Sequence, residues 1–187
     1  MKNKRQAILD TALKLFVEQG FHATPTSKIA KDAGVATGTL FHYFKTKEDL
    51  INTLYLETKD VLIKEIARNV NEQVTIKAKS QQIFVNAIHW ALNEPEQQLF
   101  YYQFCHSPFI SQITKELGEQ RLQFVFDIIE EGKTTDILKE VPTDLLLDSA
   151  LGLLNGIIKH FMEQPEKILE KNSLKQAFSL FWDSIKG

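Results

Sequence analysis

A short run of hydroxyl-bearing, aromatic and basic side chains stands out, because its residue types could recognise another molecule. Placed on a helix, Leu40 and Phe44 are four positions apart and share one face. That arrangement leaves Phe41, His42 and Tyr43 mostly on the outside. An exposed cluster of this kind suits a helix that enters the major groove of DNA, where hydroxyl groups meet base edges or phosphates and an aromatic ring touches a thymine methyl group.

The residues before this helix supply the other half of a helix-turn-helix pattern. A short helix is predicted to begin with Thr24 as its cap and Pro25 in the first helical position. Gly34 ends that helix in a tight turn, because glycine readily adopts a positive φ. The second short helix follows over residues 37–44, and Lys47 then falls in the first turn of the next helix.

The rest of the chain repeats its apolar residues with the 3.6-residue period of an α-helix, and strict alternation never extends beyond a few residues. The pattern predicts an all-α fold of about nine helices. The first helix covers residues 3–19 and stops at Gly20, and the fourth begins at a capping box formed by Thr46 and Asp49. A single long helix is predicted over residues 110–129.

Charge divides the chain into two unequal parts. Residues 1–47 hold eight basic and three acidic side chains, a balance of +5, while the remainder holds 14 basic and 21 acidic side chains, a balance of -7. A basic head on an acidic body favours a nucleic-acid-facing module joined to a part that does not touch nucleic acid. We therefore predict a DNA-binding domain over residues 1–50 and a ligand-binding and dimerisation domain over residues 51–187.

The head resembles the DNA-binding domain of the TetR family of transcriptional regulators. The similarity covers residues 5–51 and is carried by Gly20-Phe21, by residues 29–35 and by residues 38–50. It implies an all-α homodimer with an N-terminal three-helix helix-turn-helix domain, a C-terminal helical bundle, and a recognition helix near residue 40. The resemblance places phosphate contacts on Thr26, His42, Tyr43 and Lys47, and groove contacts on Ser27, Thr37, Gly38, Thr39 and Phe41.

Three positions depart from the family pattern. Ala36 stands where the family often has a capping serine, so Thr37 is a candidate cap instead of a base contact. Phe41 replaces a common tyrosine and removes one hydroxyl contact. Thr26 replaces a frequent aliphatic residue, which leaves its role open between packing and phosphate binding.

Aromatic side chains are concentrated in residues 89–126. One interpretation is an apolar effector pocket with a few polar groups that orient the ligand. The other is an ordinary hydrophobic core, which we favour for any single ring. The candidate pocket residues are Trp90, Phe100, Tyr101, Phe104, Phe124 and Asn155.

The last two predicted helices, near residues 142–162 and 172–186, are the candidates for a homodimer interface. Gly152 and Gly156 form a GxxxG pattern that permits close approach of another helix, either within the domain or across a dimer. The alternative is that both are ordinary amphipathic helices of one bundle.

Other chemistry finds little support in the sequence. The five histidines and the single cysteine, Cys105, show no metal-ligand spacing, and no phosphate-binding glycine-rich loop or nucleophile motif occurs. We therefore predict no catalytic residues, metal or cofactor. The longest apolar run has four residues, from Leu99 to Tyr102, and no secretory signal pattern follows the basic start, so we expect a cytoplasmic protein with no membrane partner.

These features together predict a ligand-responsive DNA-binding regulator. Its partners would be a double-stranded, near-palindromic operator and a small apolar or aromatic effector, and its action would most often be repression. The alternative is a helical small-molecule carrier or enzyme whose N-terminal head is structural.

Overall fold

The computed structural model describes residues 3–105, 107 and 111–187. These residues form α-helices joined by short turns, and their one β-type pairing is an isolated bridge between Leu138 and Lys186. The predicted all-α fold is confirmed. The helices are α1 (Lys4–Ala23), α2 (Thr26–Asp32), α3 (Thr37–Tyr43), α4 (Lys47–Ile66), α5 (Ile76–Asn93), α6 (Pro95–Cys105), α7 (Gln112–Gln120), α8 (Gln123–Thr134), α9 (Thr143–Glu163) and α10 (Ser173–Ile185), with 3₁₀ turns at Val70–Glu72 and Pro165–Leu169.

The chain forms two compact units. The first contains residues 1–60 together with 96–118, and the second contains residues 61–95 together with 119–187. The first unit is thus larger than the helix-turn-helix itself, because α6 shares its core. These units are defined by how the chain packs. The domain boundary at residue 50 divides the chain by proposed role, and it stays a prediction.

The core of the first unit is built from phenylalanine rings. The ring of Phe21 packs against that of Phe16 at 5.2 Å between centroids, with the two planes tilted by 57°. It meets Phe100 and Phe104 edge-on at 5.9 and 5.8 Å. Gly20 has a φ of 79°, which bends the end of α1 and turns Phe21 inward. The predicted stop at Gly20 is therefore present as a kink within α1.

Thr24 does not cap the second helix, and that prediction is wrong. It ends α1 and is fully buried, and its hydroxyl donates to the carbonyl oxygen of Gly20 at 2.8 Å, with the carbonyl oxygen of Leu15 3.2 Å away. The kink at Gly20 interrupts the regular helix at this point, and the Thr24 hydroxyl supplies a donor to carbonyl oxygens beside it. Helix α2 begins at Thr26 with Pro25 in the capping position.

The second unit has a core of α5, α9 and α10. Phe84 on α5 meets Phe178 and Phe181 on α10 at 5.4 and 5.1 Å between ring centroids. Asn86 on α5 donates to the carbonyl oxygens of Ile66 and Arg68, at 3.2 and 2.8 Å, where α4 ends. These contacts satisfy backbone groups that a helix end leaves unpaired.

The single helix predicted over residues 110–129 is in fact two helices, α7 and α8, separated at Arg121 and Leu122. Periodicity did not reveal the break, because Leu117, Phe124 and Ile128 keep helical spacing across it.

Candidate nucleic-acid interface

The turn between α2 and α3 is closed by backbone hydrogen bonds. Gly34 adopts a φ of 69°, and the amide of Val35 donates to the carbonyl oxygen of Ala30 at 2.9 Å. The other side of α3 is anchored by Leu40, which has no exposed surface, and by Phe44, which is 2% exposed. This packing fixes which face of α3 meets solvent.

The outer face of α3 exposes large aromatic side chains. Phe41 and Tyr43 are 39% and 40% exposed, and the rings of His42 and Tyr43 meet edge-on at 5.4 Å. Large exposed rings next to one another have unmet contact area, which suits a surface that meets another molecule.

The nine predicted DNA-contact residues are all accessible. Six are exposed, namely Ser27, Thr37, Gly38, Phe41, His42 and Tyr43, and three are half-buried, namely Thr26, Thr39 and Lys47. They come from α2, α3 and the first residue of α4.

The structure bears on two of the departures from the family pattern. Ala36 is the N-cap of α3 and no side chain caps the helix, so Thr37 does not take over the capping role. Thr37 is instead the first residue of α3, with an exposed side chain. Thr26 is the first residue of α2 and is half-buried.

Lys47 makes a contact within the protein in addition to its predicted contact with a DNA phosphate. Its ammonium group donates to the carbonyl oxygen of Phe21, at the bent end of α1. Desolvation lowers the pKa of Lys47, and the neighbouring Glu48 opposes that shift. A phosphate group beside it would favour the charged form in the same way as Glu48 does.

The start of α4 is a modified capping box. The hydroxyl of Thr46 accepts from the amide of Asp49 at 3.0 Å, as predicted. The carboxylate of Asp49 reaches back one residue further than expected and accepts from the amide of Lys45 at 2.9 Å. This pair holds the link between α3 and α4, and with it the position of Lys47.

Sequence reasoning missed Arg5 as a support for this surface. Its guanidinium lies 5.6 Å from the centre of the Phe44 ring and 2.6 Å from a carboxylate oxygen of Glu57. The contact links α1 with the end of α3 and with α4. No local pattern marks it, because both partners are distant in the sequence.

The six candidate pocket residues are divided between the units. Phe100 and Phe104 are fully buried in the phenylalanine core of the first unit, which also contains Tyr101. Trp90, Phe124 and Asn155 belong to the second unit, where Trp90 is 4% exposed. Within the described residues, the indole N–H of Trp90 is the buried side-chain donor that lacks a hydrogen-bond partner.

Two further observations concern metals and membranes. The described part of the chain holds no group of three or more histidine, cysteine, aspartate or glutamate side chains that could bind a metal ion. In the same part, α9 is long and apolar enough to cross a membrane, with a mean hydropathy of 1.3 over an 18-residue window that is one third buried. Its buried residues belong to the core of the second unit.

The second helix of this helix-turn-helix presents hydroxyl and aromatic groups and is flanked by lysines. This arrangement is that of the helix-turn-helix class of DNA-binding proteins. Residues 8–54 match the model of the bacterial regulatory proteins of the tetR family, and residues 75–186 match a tetracyclin repressor-like C-terminal domain. The chain therefore belongs to the TetR family. It is a ligand-responsive DNA-binding transcriptional regulator, as the sequence predicted.

Individual relatives agree with this assignment. A tetR family transcription regulator from Shewanella sp. PV-4, known from a crystal structure, is 35% identical in sequence to this chain. The match covers 100% of both chains, and the two structures superpose with a TM-score of 0.94. The fatty acid metabolism regulator protein of Bacillus subtilis is 42% identical over 82 residues, which span 42% of this chain and 42% of that protein. The transcriptional regulator FadR from Bacillus subtilis, solved with stearoyl-CoA, shares the fold, with 21% identity, coverage of 96% and 98%, and a TM-score of 0.74.

Proposed function

We propose that this regulator is a repressor, bound to a near-palindromic operator and released by a small apolar or aromatic effector. The observation that carries the DNA-binding half is the outer face of α3, where Phe41, His42 and Tyr43 are exposed while Leu40 is fully buried. A helix held from one side and presenting hydrogen-bonding and aromatic groups on the other can read base edges in a major groove.

The accessible residues divide by the chemistry they can perform. Hydroxyl, imidazole and ammonium groups at the rim of the surface would hold phosphates, and the first two turns of α3 would meet base edges. The phosphate contacts are Thr26, His42, Tyr43 and Lys47, and the groove contacts are Ser27, Thr37, Gly38, Thr39 and Phe41.

A homodimer would place two such heads on one operator. The support comes from α9, where a Cβ atom added at Gly152 or Gly156 would meet no atom within 4 Å apart from the chain neighbours and nearby backbone of its own helix. The GxxxG pattern is therefore not used for packing within the described chain, and Leu145, at 56% exposure, extends the same helix surface. On α10, Leu180 is 64% exposed. We assign the dimer contact to the helices near residues 142–162 and 172–186.

The N-terminal and C-terminal parts of the chain have separate proposed roles. Residues 1–50 read DNA, and residues 51–187 bind the effector and form the dimer, with helix-turn-helix heads spaced by about 34–36 Å or a multiple. The effector would act through its different affinity for the two dimer shapes. The Bacillus subtilis relative is a fatty acid metabolism regulator, which supports an effector with an apolar body. We propose a cytoplasmic protein with no enzymatic activity.

The test is a titration of the full chain against its own upstream DNA and against scrambled DNA of equal length. We expect preference for the upstream fragment and a steep loss of affinity between about 50 and 200 mM salt, because bound lysines release counterions from DNA. Weak binding that ignores both sequence and salt would contradict the proposal. It would favour the alternative of a carrier or enzyme with a structural head.

A further inference from the structure

The bent end of α1 lies between the core of the first unit and a predicted phosphate contact. The ring of Phe21 belongs to that core and is 8% exposed. The carbonyl oxygen of the same residue accepts a hydrogen bond from the ammonium group of Lys47, the first residue of α4, although 26 positions separate the two in the sequence. Phe21 thus contacts the aromatic core with its ring and the DNA-contact surface with its backbone.

Two neighbouring residues fix the position of this carbonyl group. Gly20 has a φ of 79° and a ψ of 164°, a backbone conformation that residues with a side chain rarely adopt. The hydroxyl of Thr24, which is fully buried, donates to the carbonyl oxygen of Gly20 at 2.8 Å. The backbone is therefore held on both sides of Phe21, and its carbonyl oxygen is a fixed acceptor for Lys47.

The ring of Phe21 is in turn held by α6. It meets Phe100 at 5.9 Å between ring centroids with 78° between the planes, and Phe104 at 5.8 Å with 80°. This edge-to-face geometry is a favoured one for aromatic pairs. Phe100 and Phe104 have no exposed surface and stack on each other at 5.7 Å. Because protein interiors are close-packed, a shift of these two rings displaces Phe21.

The hydrogen bond to Phe21 leaves Lys47 able to bind a phosphate. An ammonium group has three N–H donors, so one can bind the carbonyl oxygen while the others meet a phosphate oxygen. A lysine side chain that is already held in one place loses less rotamer freedom on binding than a mobile one does. The carbonyl group of Phe21 therefore favours DNA binding by Lys47 instead of competing with it.

We propose that Phe100 and Phe104 are positioning residues for DNA binding, which act through Phe21 to hold the ammonium group of Lys47 where it meets a phosphate. The inference rests on the proposed function, which assigns that phosphate contact. It adds a route by which α6, a helix of the part of the chain predicted to bind the effector, controls operator affinity. A displacement of α6 moves the carbonyl group of Phe21 and weakens one phosphate contact without any change in α3.

A double-mutant cycle on operator affinity tests this route. Phe100→Leu removes a ring that holds Phe21, and Lys47→Met removes the ammonium group but keeps a long side chain. We expect Phe100→Leu to weaken binding of the upstream DNA about three- to tenfold in the wild-type background, because residues in one contact network are coupled. Combined with Lys47→Met, it should change the affinity further by less than about twofold, because the contact that it disturbs is already lost.

The salt dependence gives a second measurement, which a loss of stability alone does not change. Each phosphate contact made by a lysine contributes about one unit to the slope of log affinity against log salt concentration. Phe100→Leu should make that slope shallower by up to about one unit, in the same direction as Lys47→Met. Phe84→Leu is the matched control, because Phe84 is a fully buried ring in the core of the second unit. It should leave the slope unchanged.

Phe100→Met guards against a folding effect of Phe100→Leu, because the flexible side chain of methionine adapts to an irregular space in a core. Urea unfolding identifies conditions in which each variant is folded, and ultracentrifugation checks that the oligomeric state is the same. A folded Phe100 variant that binds the operator with wild-type affinity and slope overturns the proposal. Equal effects of the Phe100 variants with and without Lys47→Met also overturn it.

Operator binding by the wild type separates this inference from the proposed function. If the wild type binds the upstream DNA no better than scrambled DNA, the proposed function fails. If the wild type binds that DNA specifically and Lys47→Met binds it equally well with the same salt slope, only the route through Phe21 fails, because Lys47 then makes no phosphate contact.

Discussion

The outer faces of α3 and α9 differ in chemistry although their inner faces are alike. Both helices bury aliphatic and aromatic side chains, such as Leu40 on α3 and Phe161 on α9. The outer face of α3 carries hydroxyl, imidazole and phenol groups, whereas that of α9 carries Gly152, Gly156 and Leu145. Burial thus explains why each helix folds. From the exposed residues we propose a polyanion as the partner of α3 and an apolar surface as the partner of α9.

The largest expected effect comes from removing two predicted phosphate contacts beside α3. Tyr43→Ala combined with Lys47→Ala should weaken operator binding by at least about 100-fold, because each hydrogen bond to a charged group contributes roughly 1.5–3 kcal/mol. The salt dependence should also become shallower, by about one unit of slope for the lost lysine. Fluorescence anisotropy with labelled upstream DNA at several salt concentrations measures both.

The matched control is Lys14→Ala, which removes an exposed lysine of α1 outside the predicted contacts. It should change operator affinity much less than the double substitution, and both proteins should keep their oligomeric state. Normal operator binding by the double variant would refute the assigned contacts and would make the outer face of α3 an ordinary surface.

The next effect concerns the outer face of α9. Gly152→Leu with Gly156→Leu should weaken self-association by about 10- to 100-fold, because overpacking of the place where the two helices meet costs roughly 1–3 kcal/mol. The unfolding free energy of the dissociated chain should not fall, since a Cβ at either position meets no atom of another part of the described chain within 4 Å. Analytical ultracentrifugation and urea unfolding give the two readings.

Gln81→Leu serves as the control, because it adds a leucine to an exposed position on α5, outside the two helices of the proposed dimer contact. It should leave self-association close to that of the wild type. If the glycine variants associate as strongly as the wild type does, the dimer contact lies elsewhere and the exposed glycines have no interface role.

A smaller effect is expected inside the first unit, at Thr24. Thr24→Val keeps the shape of the side chain but removes the donor to the carbonyl oxygens of Gly20 and Leu15. We expect a loss of about 1–3 kcal/mol in unfolding free energy, the cost of leaving a buried acceptor without its partner. Urea unfolding measures the loss, and an unchanged midpoint would show that the kink of α1 does not depend on this hydroxyl.

The sequence predicted what depends on near neighbours. The all-α class, the turn at Gly34 and the capping role of Thr46 follow from spacing and residue type within a few positions. The face of α3 was predictable for the same reason, since Leu40 and Phe44 both lie on one side of a single helix.

Contacts between distant residues were beyond this reasoning. Thr24 bonds to a carbonyl nine residues earlier, where its type and the following proline favoured a cap. Arg5 reaches Glu57, and no local signal links the two. The spacing of four residues places Tyr55 and Lys59 on one face of the same helix, but only the structure shows that Lys59 is buried.

The smallest expected effect concerns the way in which helices α4 and α10 begin. The hydroxyl of Thr46 caps α4. No side chain caps α10, whose first residue is Ser173. Thr46→Ala should cost about 1 kcal/mol of stability, as loss of an N-cap does, and Ser173→Ala should change stability by less than about 0.5 kcal/mol. Urea unfolding of the two variants under identical conditions compares them.

The cap also bears on DNA binding, because it fixes the link that places Lys47 after α3. If Thr46→Ala weakens operator binding by more than its stability loss explains, then the junction positions the phosphate contact. If operator affinity is unchanged while stability falls by about 1 kcal/mol, the cap acts on folding alone. Equal stability losses from Thr46→Ala and Ser173→Ala would contradict the capping role itself, because only one of these hydroxyls accepts from the first turn of its helix.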